Sequence, residues 1–145
     1  MDAEDWVEHA RRALSESGHR SGGARAAVVE LLAEQDCCVS AQEIHASLRE
    51  RSRGAGLASV YRALDVLAQL RLVHRVDVDD VARYEPALPS GEHHHHAVCE
   101  SCGRRDAFAD PELERLIDAV GDRLGYAIEG HDIVLRGACP QCADR

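Results

Sequence analysis

Two Cys-x-x-Cys pairs, Cys99/Cys102 and Cys139/Cys142, stand in this chain with 36 residues between them. Four thiolates close a tetrahedral structural zinc site. A chain that uses them so must leave the first knuckle and fold back to bring the second one home. The intervening pattern allows this. His93 to Cys99 reads as a strand and Arg105 to Phe108 as its return. Asp110 and Pro111 open a helix as N-cap and first helical residue. That helix turns Leu113, Leu116, Ile117 and Val120 inward and ends at Gly125. Tyr126 to Leu135 alternates again as a strand. A unit of about 55 residues is small for an independent core, so a metal clip suits it physically. Free or disulfide-bonded cysteines are the competing reading.

The final CPQC also looks like the Cys-Pro-x-Cys of thiol oxidoreductases. Those motifs need a helix after the first Cys to lower its pKa. Only three residues follow Cys142, which leaves no room for one. A zinc deaminase needs His-x-Glu and then Pro directly before Cys-x-x-Cys. Ala138 precedes Cys139, and none of the nine histidines has Glu at +2. With no nucleophile–base pair and no glycine-rich phosphate loop, an enzyme is not expected.

The first knuckle is preceded by four consecutive histidines in GEHHHHAVCESCG, 91–103. On a strand, successive side chains point to opposite faces. His93 and His95 then face one way, His94 and His96 the other, and one run supplies ligands to two separate sites. The competing reading is a solvated polar run that scavenges metal.

The first half reads differently. Asp5–Ser17, Ala24–Gln35 and a helix opened by the capping box Ser40-x-x-Glu43 are short and amphipathic. A turn at 51–56 leads to a further helix, Leu57–Leu70. The pattern then switches to period two in LVHRVDV, a DD turn and VARYE, a β-hairpin. Three helices followed by a hairpin is the order of a winged helix, whose third helix enters the DNA major groove. That helix is 57–70, with Ser59, Tyr61 and Arg62 near its N-terminal end. Half-buried packing for Tyr61 and solvated surface for Arg62 compete with a DNA role. The net charge of −9 argues weakly against nucleic acid, but between His9 and Arg75 ten Arg face seven acidic residues. All seventeen basic residues are Arg, whose planar fork suits phosphate. PALPSG at 86–91 is a linker. There is no apolar run of membrane-spanning length, and MDAEDWVEHARR lacks the marks of a secretory signal. A cytoplasmic protein without membrane partners is expected, where six cysteines point to metal or redox chemistry.

In order, VSAQEIHASL (39–48), GLASVYRALDVLAQLRLVHR (56–75), RYE (83–85), HHHHAVCESCG (93–103) and GHDIVLRGACPQC (130–142) resemble the ferric uptake regulator superfamily of metal-responsive transcription repressors. The resemblance covers nearly the whole chain. It implies an α+β fold, with an N-terminal winged-helix DNA-binding domain (1–85), a hinge (86–92) and a small C-terminal α/β metal-binding dimerisation domain (93–145). It implies a homodimer that binds a palindromic double-stranded DNA operator when loaded with metal. Cys99, Cys102, Cys139 and Cys142 match the structural zinc site. His93, His95, Glu114 and His131 match a second site in the dimerisation domain. Glu85, His94 and His96 match the regulatory site, with Cys38 or His74 as its fourth ligand. Arg20, Tyr61 and Arg62 match DNA-contacting positions, Ser59 lying beside the last two.

Two stretches depart from the family pattern. Relatives often carry His before the Val-Ser-Ala stretch, and here Cys37-Cys38 stands there. Relatives usually start the second helix with Thr and Pro, and here SGGAR does. A thiolate ligand favours zinc, while a carboxylate at the hinge is less typical of zinc sensors. A zinc-responsive repressor is the leading expectation. A repressor sensing iron(II), another divalent metal or peroxide is the alternative, and a metal store or carrier without DNA binding a remote one.

Overall fold

The structure, a computed structural model, describes residues 2–19, 23–89, 91 and 93–144. The chain divides into two compact units, Met1–Glu92 and His93–Arg145.

The first unit begins with α1, Ala3–Glu16, capped by the Asp2 side chain, which accepts from the Asp5 amide at 2.9 Å. Its buried residues Trp6, Ala10 and Leu14 are four apart, one face of a helix. The Trp6 indole donates to the Leu72 carbonyl at 3.1 Å, so the buried ring keeps its polar handle satisfied. Helix α2, Ala24–Glu34, buries Ala27, Val28, Val29, Leu31 and Leu32. Its N-cap is Gly23, which offers no side-chain acceptor, as the SGGAR departure anticipates. Strand β1, Val39–Ser40, leads into α3, Ala41–Glu50, where the Ser40 hydroxyl accepts from the Glu43 amide at 3.1 Å. Helix α4 runs Leu57–Gln69 with Val60, Ala63, Leu64 and Leu67 inward.

Strands β2, Val73–Val78, and β3, Val81–Pro86, form an antiparallel hairpin. Asp79 and Asp80 both have positive φ, +51° and +65°, the backbone of the primed two-residue turn that matches strand twist. The sheet order is β1-β3-β2, with Val39 opposite Tyr84. This is a winged helix. The two-residue β1 was not anticipated, because a segment so short carries no periodic signal.

The second unit is a three-stranded sheet of order β5-β4-β6 with one long helix. Strand β4, His95–Cys99, pairs antiparallel with β5, Arg105–Phe108, and parallel with β6, Val134–Gly137. The parallel return is made through α5, Pro111–Leu124. Asp110 caps α5 by accepting from Glu112 and Leu113, and Gly125 ends it in the left-handed conformation, φ +75°. The one-turn helix α6, Pro140–Ala143, closes the unit with Cys139 as N-cap.

Four expectations are corrected here. Strand β4 starts at His95, so His93 and His94 lie ahead of it. The strand expected over Tyr126–Leu135 shrinks to β6, because only its end finds a partner, on β4. Leu116 and Val120, expected inward, are exposed. The room judged too short for a helix after Cys139 holds the single turn α6. Among the described residues, no helix is long and apolar enough to cross a membrane. The architecture is α+β, a winged helix followed by a small α/β unit.

Candidate metal centres and nucleic-acid interface

The four knuckle cysteines converge. Cys99 ends β4, and Cys102 follows in a turn closed by Gly103, whose amide bonds the Cys99 carbonyl at 2.9 Å and whose φ is +79°. Cys139 and Cys142 sit at the cap and inside of α6. All four sulfurs lie within 4.8 Å of one another. Cys102 and Cys139 are 3.8 Å apart at Sγ. Four sulfurs about 2.3 Å from one tetrahedral centre would be spaced about 3.8 Å, so the donor set fits zinc. Backbone amides prepare it. The Cys139 N–H donates to Cys99 Sγ at 3.3 Å, and with further donation from Cys102 lowers the Cys99 thiol to about 6. Hydrogen bonds to Cys139 and Cys99 hold the Cys142 proton in place, pushing that thiol up to about 12. Without a cation, so many thiolates do not share one spot, and a divalent ion removes the conflict.

A second set forms at the other end of β4. His93 precedes the strand, His95 is buried on it, Glu114 stands on the first turn of α5, and His131 precedes β6. Their donor atoms lie within 4.8 Å of one another. His93 and His131 approach at 3.2 Å between Nε2 atoms. Glu114 is the hub, 2.5 Å from His95 Nε2, 2.7 Å from His131 Nε2 and 3.5 Å from His93 Nε2. Its carboxyl is held below the usual range, first by the His95 hydrogen bond and then by the charges of His131 and His93. Among the described residues, the buried His95 Nδ1 has no hydrogen-bond partner, while its Nε2 faces the Glu114 carboxylate. Tetrahedral nitrogen and oxygen ligands about 2.0–2.1 Å from a metal are about 3.3 Å apart; the 3.2 and 3.5 Å separations fit that, while the 2.5 and 2.7 Å contacts of Glu114 are hydrogen-bond distances that an ion would have to widen. Three imidazoles and one carboxylate suit zinc, iron or nickel.

The residues expected to regulate are placed within their own units. In the first, β3 is the middle strand. Glu85, buried at 6% exposure, pairs with His74 on β2. Continuing the β1–β3 register by one residue sets Cys38 opposite Glu85 from the other side. Cross-strand partners share a face. By register the two candidates for the fourth ligand fall at the level of Glu85, one to each side of β3, although among the described residues no cluster of metal-ligating atoms includes Glu85. Cys38 is fully buried, and His74 is half-buried. In the second unit, His94 is exposed and His96 is buried on β4, its amide bonding the Ile133 carbonyl at 3.1 Å.

On α4, Tyr61 and Arg62 are exposed and Ser59 is half-buried. Arg62 donates to the Ser59 hydroxyl at 3.1 Å, and Gln42 of α3 donates to the Tyr61 hydroxyl at 2.9 Å. Ala24, Arg25, Ser59, Arg62 and Ala63 line one shallow depression. Sequence reasoning missed Arg25, Gln42 and Cys37. Arg25 and Gln42 lie on other helices, with no spacing signal to tie them to α4. Arg20 lies outside the described residues.

A winged helix joined to a small unit bearing clustered thiolates and imidazoles defines a class: metal-binding, DNA-binding transcription regulators. The ferric uptake regulator family model matches residues 16–136. The ferric uptake regulation protein of Bacillus subtilis is 30% identical over 142 residues, covering 96% of this chain and 95% of that protein. That of Neisseria meningitidis is 33% identical over 133 residues, covering 89% and 90%. Among solved structures, the Helicobacter pylori ferric uptake regulator, described as having three functional metal binding sites, superposes with a TM-score of 0.81 at 28% identity, covering 100% of this chain and 96% of that one. This chain belongs to the ferric uptake regulator family. It is a metalloregulator and not an enzyme.

Proposed function

We propose that the protein is a zinc-sensing transcriptional repressor of metal-homeostasis genes, binding a palindromic operator as a metal-loaded homodimer. The observation that carries the metal choice is the buried thiol Cys38, one residue ahead of β1 and, by extension of the register, at the level of buried Glu85. A thiolate at that position tilts preference towards zinc. In this reading Cys99, Cys102, Cys139 and Cys142 hold a structural zinc. Glu85, His94 and His96, with Cys38 or His74, are the regulatory ligands. The set of His93, His95, Glu114 and His131 holds a further ion. The first unit binds DNA through Ser59, Tyr61, Arg62 and Arg20, and the second dimerises.

The metal supplies a differential free energy. It binds the DNA-competent state better than the other state, so occupancy shifts the population towards operator binding. The chain's own residues hold the donors in register, bury Glu85 and present α4. Dimerisation is supported by an apolar stripe on α5. Leu116 and Leu124 are 60% and 65% exposed, with Val120 between them and Tyr126, Ile128 and Leu135 exposed as well. A stripe of that kind on a soluble domain marks a contact surface.

An iron(II)-sensing repressor is the second reading, favoured by the oxygen ligand Glu85 and by relatives that carry the name ferric uptake regulation protein. The test is operator binding by reduced protein titrated with Zn2+, Fe2+, Mn2+ and Ni2+. Activation at the lowest free concentration by Zn2+ is expected, with affinity falling as salt rises. Activation by Fe2+ but not Zn2+ selects the second reading, and no operator binding with any metal removes both.

A further inference from the structure

Cys37 and Cys38 are neighbours in sequence, and their Sγ atoms lie 3.9 Å apart. Adjacent residues on an extended strand point to opposite faces. These two do not, because the chain bends at 36–37 before β1 begins at Val39. Two sulfurs about 2.3 Å from one tetrahedral zinc would be about 3.8 Å apart. The pair therefore already has the spread of a two-thiolate grip. Cys38 is fully buried and Cys37 half-buried, and the β1–β3 register carries Cys38 to the position opposite Glu85. Cys37 belongs to neither the apolar cluster nor the four-cysteine set.

We infer that Cys37 and Cys38 act together as a two-thiolate metal site of the first unit, and that the ion they take is a thiophilic divalent cation of the zinc class. The inference deepens the zinc-sensing reading and rests on it for its regulatory meaning. Soft thiolates select zinc over manganese and over iron(II). Two of them bring two negative charges to one dication. A single thiolate in place of an imidazole shifts preference, whereas a pair decides it. The ion also relieves the cost of keeping thiolate charge away from water.

The test uses full-length reduced protein that keeps its zinc in the four-cysteine set, with Co2+ as the probe. Cobalt binds more weakly than zinc, so it leaves a filled zinc site alone. Its thiolate charge-transfer absorption counts sulfur ligands. Wild type is expected to develop the intensity of two thiolates, bleached by added Zn2+. Cys37→Ser, the safer variant because the side chain is half-buried, should lose about half of it. Its zinc affinity, by chelator competition, should drop by more than the roughly 10–100-fold that loss of a ligand's supporting hydrogen bond costs. Cys38→Ala should match it, and the double variant should show no band. A Cys37→Ser band equal to wild type, or no thiolate band in wild type, overturns the inference. Operator binding on the same samples separates the two ideas. Zinc-activated binding without the band leaves the repressor standing and removes the dithiolate. The band without any metal response leaves the dithiolate standing and removes the sensor.

Discussion

Arg62 and Tyr61, the proposed DNA contacts, are each held by a hydrogen bond within the first unit. The Arg62 guanidinium is tied to Ser59 on its own helix, and the Tyr61 hydroxyl accepts from Gln42 of α3. Preset side chains lose less rotamer freedom on binding. Arg62→Ala should weaken operator binding by about 1–3 kcal/mol if the arginine reads a base edge, with metal content and dimerisation unchanged. A phosphate contact would instead weaken all sequences alike and flatten the salt slope by about one unit. Gln42→Ala should give a smaller loss in the same binding assay, and an unchanged affinity would show that the Tyr61 hydroxyl needs no support. At this scale the sequence was unevenly legible. Cys99, Cys102, Cys139 and Cys142 were readable because thiol spacing is local. Glu114 and His131 came only from the family resemblance, since 16 residues separate them and nothing between them marks convergence. Cys37 was visible but unused, because its pairing with Cys38 depends on a bend that no residue pattern announces.

At the scale of elements, the histidine run shows how alternation survives a partial strand. Only His95 and His96 belong to β4, yet His93 and His95 both reach Glu114. His93, ahead of the strand, keeps the two-residue period without sheet pairing. His93→Ala and His95→Ala should therefore behave alike, lowering affinity for one bound ion while leaving activation at high metal. His94→Ala and His96→Ala should form another class, in which metal-dependent operator binding falls steeply. Operator affinity against free zinc for the four single variants reads this directly. Four equal, mild phenotypes would mean that the run scavenges metal and serves no defined site. The helices, capped at Ser40 and Asp110 and ended at Gly125, were the most legible elements, because caps and a 3.6-residue period are written locally. The strand expected over 126–135 was the least. Alternation there had no partner strand to bond beyond β6, and exposed Tyr126 and Ile128 continue the apolar stripe of α5.

The two units differ in what holds them together. Every residue of the apolar core cluster, from Trp6 to Tyr84, belongs to the first. The second buries little apolar side chain beyond Val98, Cys99 and Cys139, among the described residues, and it also buries His95 and His96. A core of that size supplies at most a few kcal/mol, whereas structural zinc contributes on the order of 10 kcal/mol at neutral pH. The second unit should then depend on its cysteines, and the first should not. Chelation under reducing conditions, or Cys99→Ser, should abolish the unfolding transition of the C-terminal unit and, if the α5 stripe is the proposed dimer contact, dissociate the dimer with it. The helical signal of the winged helix should keep its own melting transition. Calorimetry and light scattering on zinc-loaded and stripped protein measure both effects. A stripped protein that stays dimeric with an unchanged thermogram would mean that packing alone suffices in the second unit. The four thiols would then have to be explained without folding energy.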